Sequence, residues 1–321
     1  MADRAFALLA MPARVRSALH GLGQRHPAFC GIALVVIGSA FFASMHAAVR
    51  FVSRELHPFE IAFFRNLFGF LVFMPILMRS GLVLLHTRRF GAHAVRGFIN
   101  AGSMLAWFTA LSLIPLADAT ALALTGPLFV TLGAMFFLGE VVRARRWIAL
   151  GVGVAGTLVI IRPGFEEVSL GALLVLSTAF AVSASKLIAK SLSRTDSTTT
   201  IVAYLTLIMI PITLVAALFV WRWPSLVELA WLAAIGVTGS CGHLCFAKAY
   251  TFADVSAVEP ITFTRLIWAA LIGYLAFAEF PDLWVWIGGC LIVGATSYIA
   301  HREAVIRRAD ALHVDARCTE M

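Results

Sequence analysis

The sequence has little charge for its length. Charged residues make up 13% of its 321 positions, hydrophobic residues make up 61%, and the mean hydropathy is +0.92. A water-soluble domain carries roughly a quarter charged residues, so this chain lacks the polar surface that a globule in water needs. The deficit excludes a soluble globular fold and predicts an integral membrane protein in a lipid bilayer.

The chain also lacks a cysteine framework and a basic patch. Of its 5 cysteines, Cys241, Cys245 and Cys290 lie inside apolar runs, where cysteine is a small packing residue. The sequence pI is 9.8, but the basic residues lie between apolar runs and not in one cluster, so we expect no nucleic-acid partner. The apolar stretch from Phe6 to Met11 is short and ends at Pro12, which favours a cytosolic tail over a cleaved signal peptide.

Motifs of the common enzyme and pump classes are missing as well. There is no HExxH or GxSxG, and no lysine follows a glycine as a phosphate-binding loop requires. The stretch Cys241-Gly-His243-Leu-Cys245 does not place its side chains together on a helix, because residues two apart point in nearly opposite directions. We therefore expect no enzyme activity, no metal and no cofactor.

Apolar runs of membrane-spanning length are abundant. A hydrocarbon core of roughly 30 Å needs about 20 helical residues. The predicted spans are residues 29–49, 58–78, 92–114, 117–138, 146–162, 170–190, 199–221, 226–250, 256–278 and 283–300. The fold class is thus an all-α integral membrane protein with ten transmembrane helices.

Arginine and lysine determine the predicted orientation. With the N-terminus inside, the segments on that side carry sixteen of these residues, whereas the outside segments carry only Arg50, Arg54, Arg162 and Arg222. Cytoplasmic segments are enriched in basic residues, so both termini are predicted to be cytosolic. We therefore expect a multi-pass protein of the cell inner (plasma) membrane.

The chain repeats itself with two nearly equal offsets. At an offset of 139, Thr125 aligns with Thr264 and Glu140 with Glu279; at an offset of 140, Arg50 aligns with a lysine. We divide the chain into a basic tail (1–28), two five-helix repeats (29–163 and 169–301) and a C-terminal tail (302–321). Five is odd, so the second repeat is inverted. Inverted repeats are typical of secondary transporters, whose substrate site lies near the midplane.

Three stretches carry a family resemblance: HPFEIAFFRNLFG from His57, PLADATALALTGPLFVTLGAMFFLGE from Pro115, and TFTRLIWAALIGYLAFAE from Thr262. Together they resemble the EamA-type permeases of the drug/metabolite transporter superfamily, over nearly all of residues 29–302. The resemblance implies ten helices around a central cavity that opens alternately to either side. It does not name a substrate.

Ionisable residues at membrane depth mark the candidate site, because inserting one costs at least about 2.5 kcal/mol. Glu60, Arg96, Asp118 and Lys248 lie near span ends and are interpreted as anchors or local pairs. The substrate-binding or pathway residues that we predict are His46, Arg65, Asn100, Trp107, Lys186, His243, Glu259, Arg265 and Trp268.

Specific features support several of these candidates. Glu259 and Arg265 flank Pro260, which should kink the ninth span. Arg265 could bind a carboxylate or phosphate, and Glu259 could pair with a basic residue or carry a proton. Lys186 aligns with His46 in the repeat. Six glycines are interpreted as close helix-packing residues: Gly151, Gly153, Gly156, Gly288, Gly289 and Gly294.

These observations predict a secondary active transporter of a small organic metabolite. Intramembrane cations outnumber intramembrane anions, which favours an anionic or zwitterionic solute such as an amino acid or its derivative. A nucleotide-like or flavin-like solute is the alternative, and a non-transporting membrane partner subunit is a third reading. The sequence leaves open whether protons or a counter-transported solute are coupled, and whether the chain forms a homodimer.

Overall fold

A computed structural model describes residues 27–80, 87–138, 144–163, 167, 169–249, 252, 259–299 and 301. Within these ranges the chain is helical and contains no β-strand. The helices are α1 (Pro27–Val52), α2 (Pro58–Ser80), α3 (Phe90–Leu113), α4 (Leu116–Ala123), α5 (Gly126–Leu138), α6 (Ala144–Ile161), α7 (Leu170–Leu192), α8 (Thr198–Leu218), α9 (Leu226–Ala249), a 3₁₀ helix (Glu259–Phe263), α10 (Thr264–Phe277) and α11 (Leu283–Ile299).

Most of the described residues within the predicted spans are helical. Five segments are long and apolar enough to cross a membrane: Cys30–Val52, Leu116–Gly133, Leu170–Leu192, Thr200–Leu218 and Leu226–Ala249. Three shorter apolar helices accompany them: Trp147–Ile161, Ile261–Phe277 and Leu283–Ile299. The all-helical membrane character is therefore confirmed, whereas the number of ten crossings stays a prediction.

Serine side chains cap the starts of two helices. The Ser169 hydroxyl accepts a hydrogen bond from the backbone N–H of Ala172 (3.2 Å), and the Ser197 hydroxyl accepts one from Thr200 (3.1 Å). Each cap satisfies a first-turn N–H group that has no partner within the helix. The caps fix the starts of α7 and α8.

The predicted span 117–138 is not one helix, because a turn at Leu124 and Thr125 separates α4 from α5. Thr125 Oγ1 donates to the carbonyl oxygen of Leu122 (2.7 Å), and Ser183 Oγ of α7 donates to that of Gly126 (2.9 Å). Backbone groups freed at membrane depth need partners within the protein, and these bonds supply them. The break is thus stabilised from both sides of the turn.

A second break lies at the matching point of the other half. Pro260 falls in the 3₁₀ helix, and α10 begins only at Thr264. Thr264 Oγ1 donates to the Ile261 carbonyl oxygen over 2.7 Å, the same length as the bond made by Thr125. The donors and the acceptors of these two bonds are each separated by the repeat offset of 139 residues. The end of the 3₁₀ helix before α10 therefore lies at the position that corresponds, at this offset, to the turn between α4 and α5.

The helices pack in an order that does not follow the chain. Helix α1 lies along α9, α2 contacts α9 and α8, and α3 lies along α7. Helix α10 packs on α1 and α4. Residues of these helices form the main hydrophobic core. Polar residues on the helix faces that meet there are therefore close to one another.

Glycines allow close approach at some of the predicted positions only. A Cβ added to Gly156 of α6 would lie 2.8 Å from the carbonyl oxygen of Gly288 in α11. Two other glycines of the set face leucine side chains. Among the residues that the structure describes, nothing lies within 4 Å of a Cβ added to Gly151 or Gly294, so the predicted close packing is not found at these two positions.

Candidate functional site

Arg65 lies seven residues after the start of α2, about 10 Å along the helix, and is linked to α9 directly and to α8 through Asn66. Its guanidinium donates to Asn66 Oδ1 (3.1 Å) and lies 3.3 Å from His243 Nε2 of α9. Asn66 Nδ2 donates in turn to Thr213 Oγ1 of α8 (3.3 Å). Gly239 of α9 faces the guanidinium, since a Cβ there would lie 3.6 Å from Arg65 Nε. These contacts fix the orientation of the cation.

Aromatic rings border this cation on the α1 side. The buried His46 ring meets the Trp107 ring of α3 edge to face, with 5.1 Å between ring centroids. One turn earlier on α1, Phe42 meets His243 edge to face at 4.9 Å. Helix α1 therefore presents two rings to its neighbours at the level of the arginine.

Arg265 brings α10 to the same cluster. It is the second residue of α10, directly after the break, and its side chain is half-buried. The charges of Arg265 and Arg65 both act electrostatically on the His46 ring. Trp268 follows three residues later and is also half-buried, and residues three apart are neighbours on a helix surface. The cluster thus draws residues from both predicted repeats.

The His243 side chain remains accessible beside the cluster. It is exposed, although Phe42 of α1 and Arg65 of α2 contact it from two sides. A small solute at this accessible surface could touch the imidazole and the neighbouring guanidinium together.

The charge of Arg65 is not compensated by a carboxylate among the described residues. Its hydrogen-bonding partners are an amide and an imidazole. The ion pairs that described residues form with one another lie elsewhere, near helix ends: Arg50–Glu279, His93–Asp196, Arg162–Asp282 and Arg222–Glu228. Burying a cation is unfavourable, and the contacts of Arg65 with Asn66 and His243 offset part of that cost.

Three predicted site residues are not placed in this cluster. Two of them lie elsewhere, and the side chain of the third is outside the described part of the chain. Asn100 Nδ2 donates to the Arg96 carbonyl oxygen (2.8 Å) and to Ser185 Oγ of α7. Lys186 follows that serine and is exposed; it makes no hydrogen bond or ion pair with another described residue. The side chain of Glu259 lies outside the described part of the chain.

A second polar cluster joins the start of α3 to the connection between α7 and α8. His93 Nε2 lies 2.7 Å from Asp196 Oδ2, which also accepts from Thr87 Oγ1 (2.8 Å). Arg89 donates to the carbonyl oxygen of Ser191 (3.0 Å). The hydrogen bond with His93, supported by that with Thr87 and by the Arg89 charge, holds the pKa of Asp196 below its ordinary value of 3.8.

The opposite end of the bundle carries a different network. Arg50, near the end of α1, donates to the carbonyl oxygens of Leu111 (2.9 Å) and Ile114, and it forms an ion pair with Glu279. Glu279 also accepts the backbone N–H of Leu116 at the start of α4 (3.1 Å). The pair therefore connects α1, α3, α4 and the end of α10.

Two further contacts lie at this same end. Glu60, predicted to anchor or pair near a span end, is buried and accepts the backbone N–H of Arg222 (2.6 Å), which also pairs with Glu228. Arg162 donates to Asp282 Oδ2 (2.6 Å). The ends of α1, α2, α6 and α10 are thus all tied by charged side chains.

Several of these residues were missed as site candidates from the sequence. Asn66 could have been found, because an amide beside an arginine in an apolar span needs a partner of its own. Arg50 and Glu279 were not predicted as site residues, and neither were His93 and Asp196. No local pattern links these pairs, since their members are far apart in the chain.

The structure offers no metal site among the residues it describes: no three His, Cys, Asp or Glu side chains are grouped closely enough. Cys241 and Cys245, which flank His243, are free thiols.

Comparison with known proteins places this site in context. A sequence model described as the EamA-like transporter family matches residues 29–162 and again residues 169–300. The chain is 32% identical over 286 residues to the riboflavin transporter of Vibrio cholerae, covering 87% of this chain and 95% of the relative. It is 30% identical to the S-adenosylmethionine uptake transporter of Rickettsia bellii (79% and 87% covered) and 35% identical to the pseudopaline exporter CntI of Pseudomonas aeruginosa (83% and 94%).

The fold also matches a known one. A solved crystal structure of a protein superposes with a TM-score of 0.57 at 20% sequence identity, covering 84% of this chain and 98% of that one. All three relatives are transporters and not enzymes. The chain is therefore a small-molecule membrane transporter that belongs to the EamA-like transporter family.

Proposed function

We propose that this protein is a secondary active transporter of the cell inner membrane that moves an anionic or zwitterionic organic metabolite by alternating access. In this proposal ten helices form two inverted repeats, both termini are cytosolic, and the cluster around Arg65 is the central binding site. The matching breaks at Thr125 and Thr264 support the repeat, because interrupted helices near the midplane are typical of transporter sites.

The single observation that carries the proposed substrate charge is the environment of Arg65. Its guanidinium is oriented by Asn66 and His243, and the His243 side chain beside it is exposed. A planar guanidinium binds carboxylates and phosphates through parallel hydrogen bonds. A bound anion would supply the counter-charge that the described residues do not provide, and a carboxylate of an amino acid or its derivative suits this geometry.

A second candidate substrate class is a solute with a planar ring system. Trp107 and Phe42 border the site, and aromatic side chains provide flat surfaces against which a ring packs. Two of the relatives are named for riboflavin and S-adenosylmethionine, which both contain such rings. A ring-containing anion would satisfy both features of the site.

Metabolite profiling of cells and medium tests the proposal. Cells expressing the wild type should accumulate or lose one compound relative to cells expressing Arg65→Gln at matched abundance. We expect the variant to lose about 10- to 100-fold in apparent affinity, because a hydrogen bond to a charged group contributes about 1.5–3 kcal/mol.

Arg54→Gln is the matched control, since Arg54 is exposed at the end of the bundle and has the same charge. It should leave the profile of the wild type unchanged. If Arg65→Gln transports as the wild type does, the anion site is not at Arg65. If no compound moves with the wild type, the non-transporting reading of the sequence gains support.

A further inference from the structure

The ion pair between Arg50 and Glu279 lies directly above the central cluster. Arg50 is one helical turn beyond His46 on α1, and Leu111 is one turn beyond Trp107 on α3. Residues four apart share a helix face. The His46–Trp107 ring contact and the hydrogen bond from Arg50 to the Leu111 carbonyl are therefore successive layers between the same two helices.

The pair also connects the two repeats. Arg50 binds Leu111 and Ile114 of its own repeat and Glu279 of the other, and Glu279 returns to the first repeat through the N–H of Leu116. A relative movement of the repeats that opens this end must break the contacts between Glu279 and its two partners. The remaining Arg50 contacts stay within one repeat and can persist.

Local backbone geometry holds Glu279 in place. Ala278 has a φ of 54° and ends α10 in the left-handed region, which is unfavourable for a residue with a Cβ. The backbone N–H of Glu279 then returns to the Gly273 carbonyl oxygen (3.1 Å), which turns the chain back towards α4. A strained backbone conformation of this kind persists only where the surrounding contacts hold it in place.

The pair is suited to repeated breaking. Its side chains are 18% and 19% exposed, so both charges can be hydrated when the contact opens. If the pair were fully buried, breaking it would leave two charges without water or a partner. The open state would then have a much higher free energy. The Phe277 ring, whose centroid lies 5.5 Å from the Arg50 guanidinium carbon, covers the cation on one side.

We propose that Arg50 and Glu279 form the outer gate of the central site, closed in this structure and broken when the site opens to the outside. The proposal rests on the proposed function for the position of the site and on the predicted orientation for which end is outside. It adds two gating residues, on α1 and at the end of α10, which act by closing the path and not by touching the solute.

Thiol accessibility tests the gate without any knowledge of the substrate. The 5 native cysteines are replaced by serine, and His243→Cys introduces one thiol beside the central cluster. A membrane-impermeant, negatively charged methanethiosulfonate is added outside intact cells, and the labelling rate is measured. Glu279→Gln should raise that rate about tenfold, as expected when one charge-assisted hydrogen bond no longer favours the closed state.

Asp282→Asn is the matched control, because it removes one negative charge at the same end from a pair with Arg162 that is more exposed. Labelling in this control should stay within about twofold of the parent. Arg50→Gln removes the other member of the ion pair and should raise the labelling rate in the same way. This variant provides a second test if Glu279→Gln does not insert into the membrane.

Unchanged labelling in both gate variants, or an equal increase in the Asp282 control, would overturn the gate. Increased labelling together with no transported compound would uphold the gate while rejecting the proposed transport. Transport that depends on Arg65 but no change in labelling would reject the gate alone.

Discussion

Replacing Gly156 by alanine tests a backbone contact between α6 and α11. The new Cβ would lie 2.8 Å from the Gly288 carbonyl oxygen, 2.9 Å from Leu291 Cβ and 3.0 Å from Ile292 Cγ1. Ordinary contacts of a Cβ begin near 3.4 Å. The first two neighbours are a backbone atom and a Cβ, which cannot rotate away, so the two helices must separate by several tenths of an ångström.

The expected destabilisation follows from two opposing effects. Overpacking of this kind costs about 1–3 kcal/mol, whereas alanine is favoured over glycine inside a helix by about 1 kcal/mol. Gly151→Ala is the matched control in the same helix, because no atom of the described part of the chain lies within 4 Å of its added Cβ. The helix preference is common to both variants, so Gly156→Ala should be less stable than Gly151→Ala by about 1–3 kcal/mol.

Reversible unfolding of the purified protein in mixed micelles, with increasing denaturing detergent, measures this difference. Helix content and tryptophan fluorescence should give the same order of stability. Equal stability of the two alanine variants would show that α6 and α11 do not approach through Gly156, and the packing of these helices would have to be revised.

Three further substitutions have defined outcomes. The lowered pKa of Asp196 means that its contribution to stability is present above about pH 3.8 and is lost as the pH falls through the lower folded value. The gap in Tm between wild type and Asp196→Asn should therefore narrow below pH 3.8, and a constant gap would contradict the assignment. Ala278→Gly should stabilise the protein by about 1 kcal/mol in the detergent titration, because glycine adopts the left-handed region freely; a loss of stability would argue against the strained turn. Ser183→Ala removes the donor to the Gly126 carbonyl and should destabilise by about 1 kcal/mol, whereas the exposed Ser177→Ala should have no effect. Equal effects of the two serine changes would contradict a role for the helix break.

Helix positions could be predicted from the sequence because they depend on local composition. Runs of about 20 apolar residues fall on helices, and short connections such as that between α3 and α4 contain proline. The breaks could be predicted only in part. Pro260 indicated one of them, whereas the turn at Thr125 has no proline at the position that corresponds to Pro260 at an offset of 139.

The candidate site shows where prediction from the sequence ends. Arg65 and Arg265 stood out because charge at membrane depth is unfavourable wherever it occurs. Their partners could not be deduced, because Arg65 and His243 are 178 residues apart and meet only through the packing of α2 on α9. Lys186 seemed equivalent to His46 by alignment, yet it is exposed and has no contact with the cluster among the described residues.

The sequence by itself determined that this protein lies in a membrane, that it is helical and that it belongs to a family of transporters. Those properties follow from composition, run length and motif, which are local or summed along the chain. Only the tertiary structure decided which polar side chains meet, because partners such as Arg50 and Glu279 depend on the angle, depth and rotation of whole helices. A rotation of one residue on a helix turns a side chain by about 100°, so the same sequence pattern permits many pairings and packing selects one.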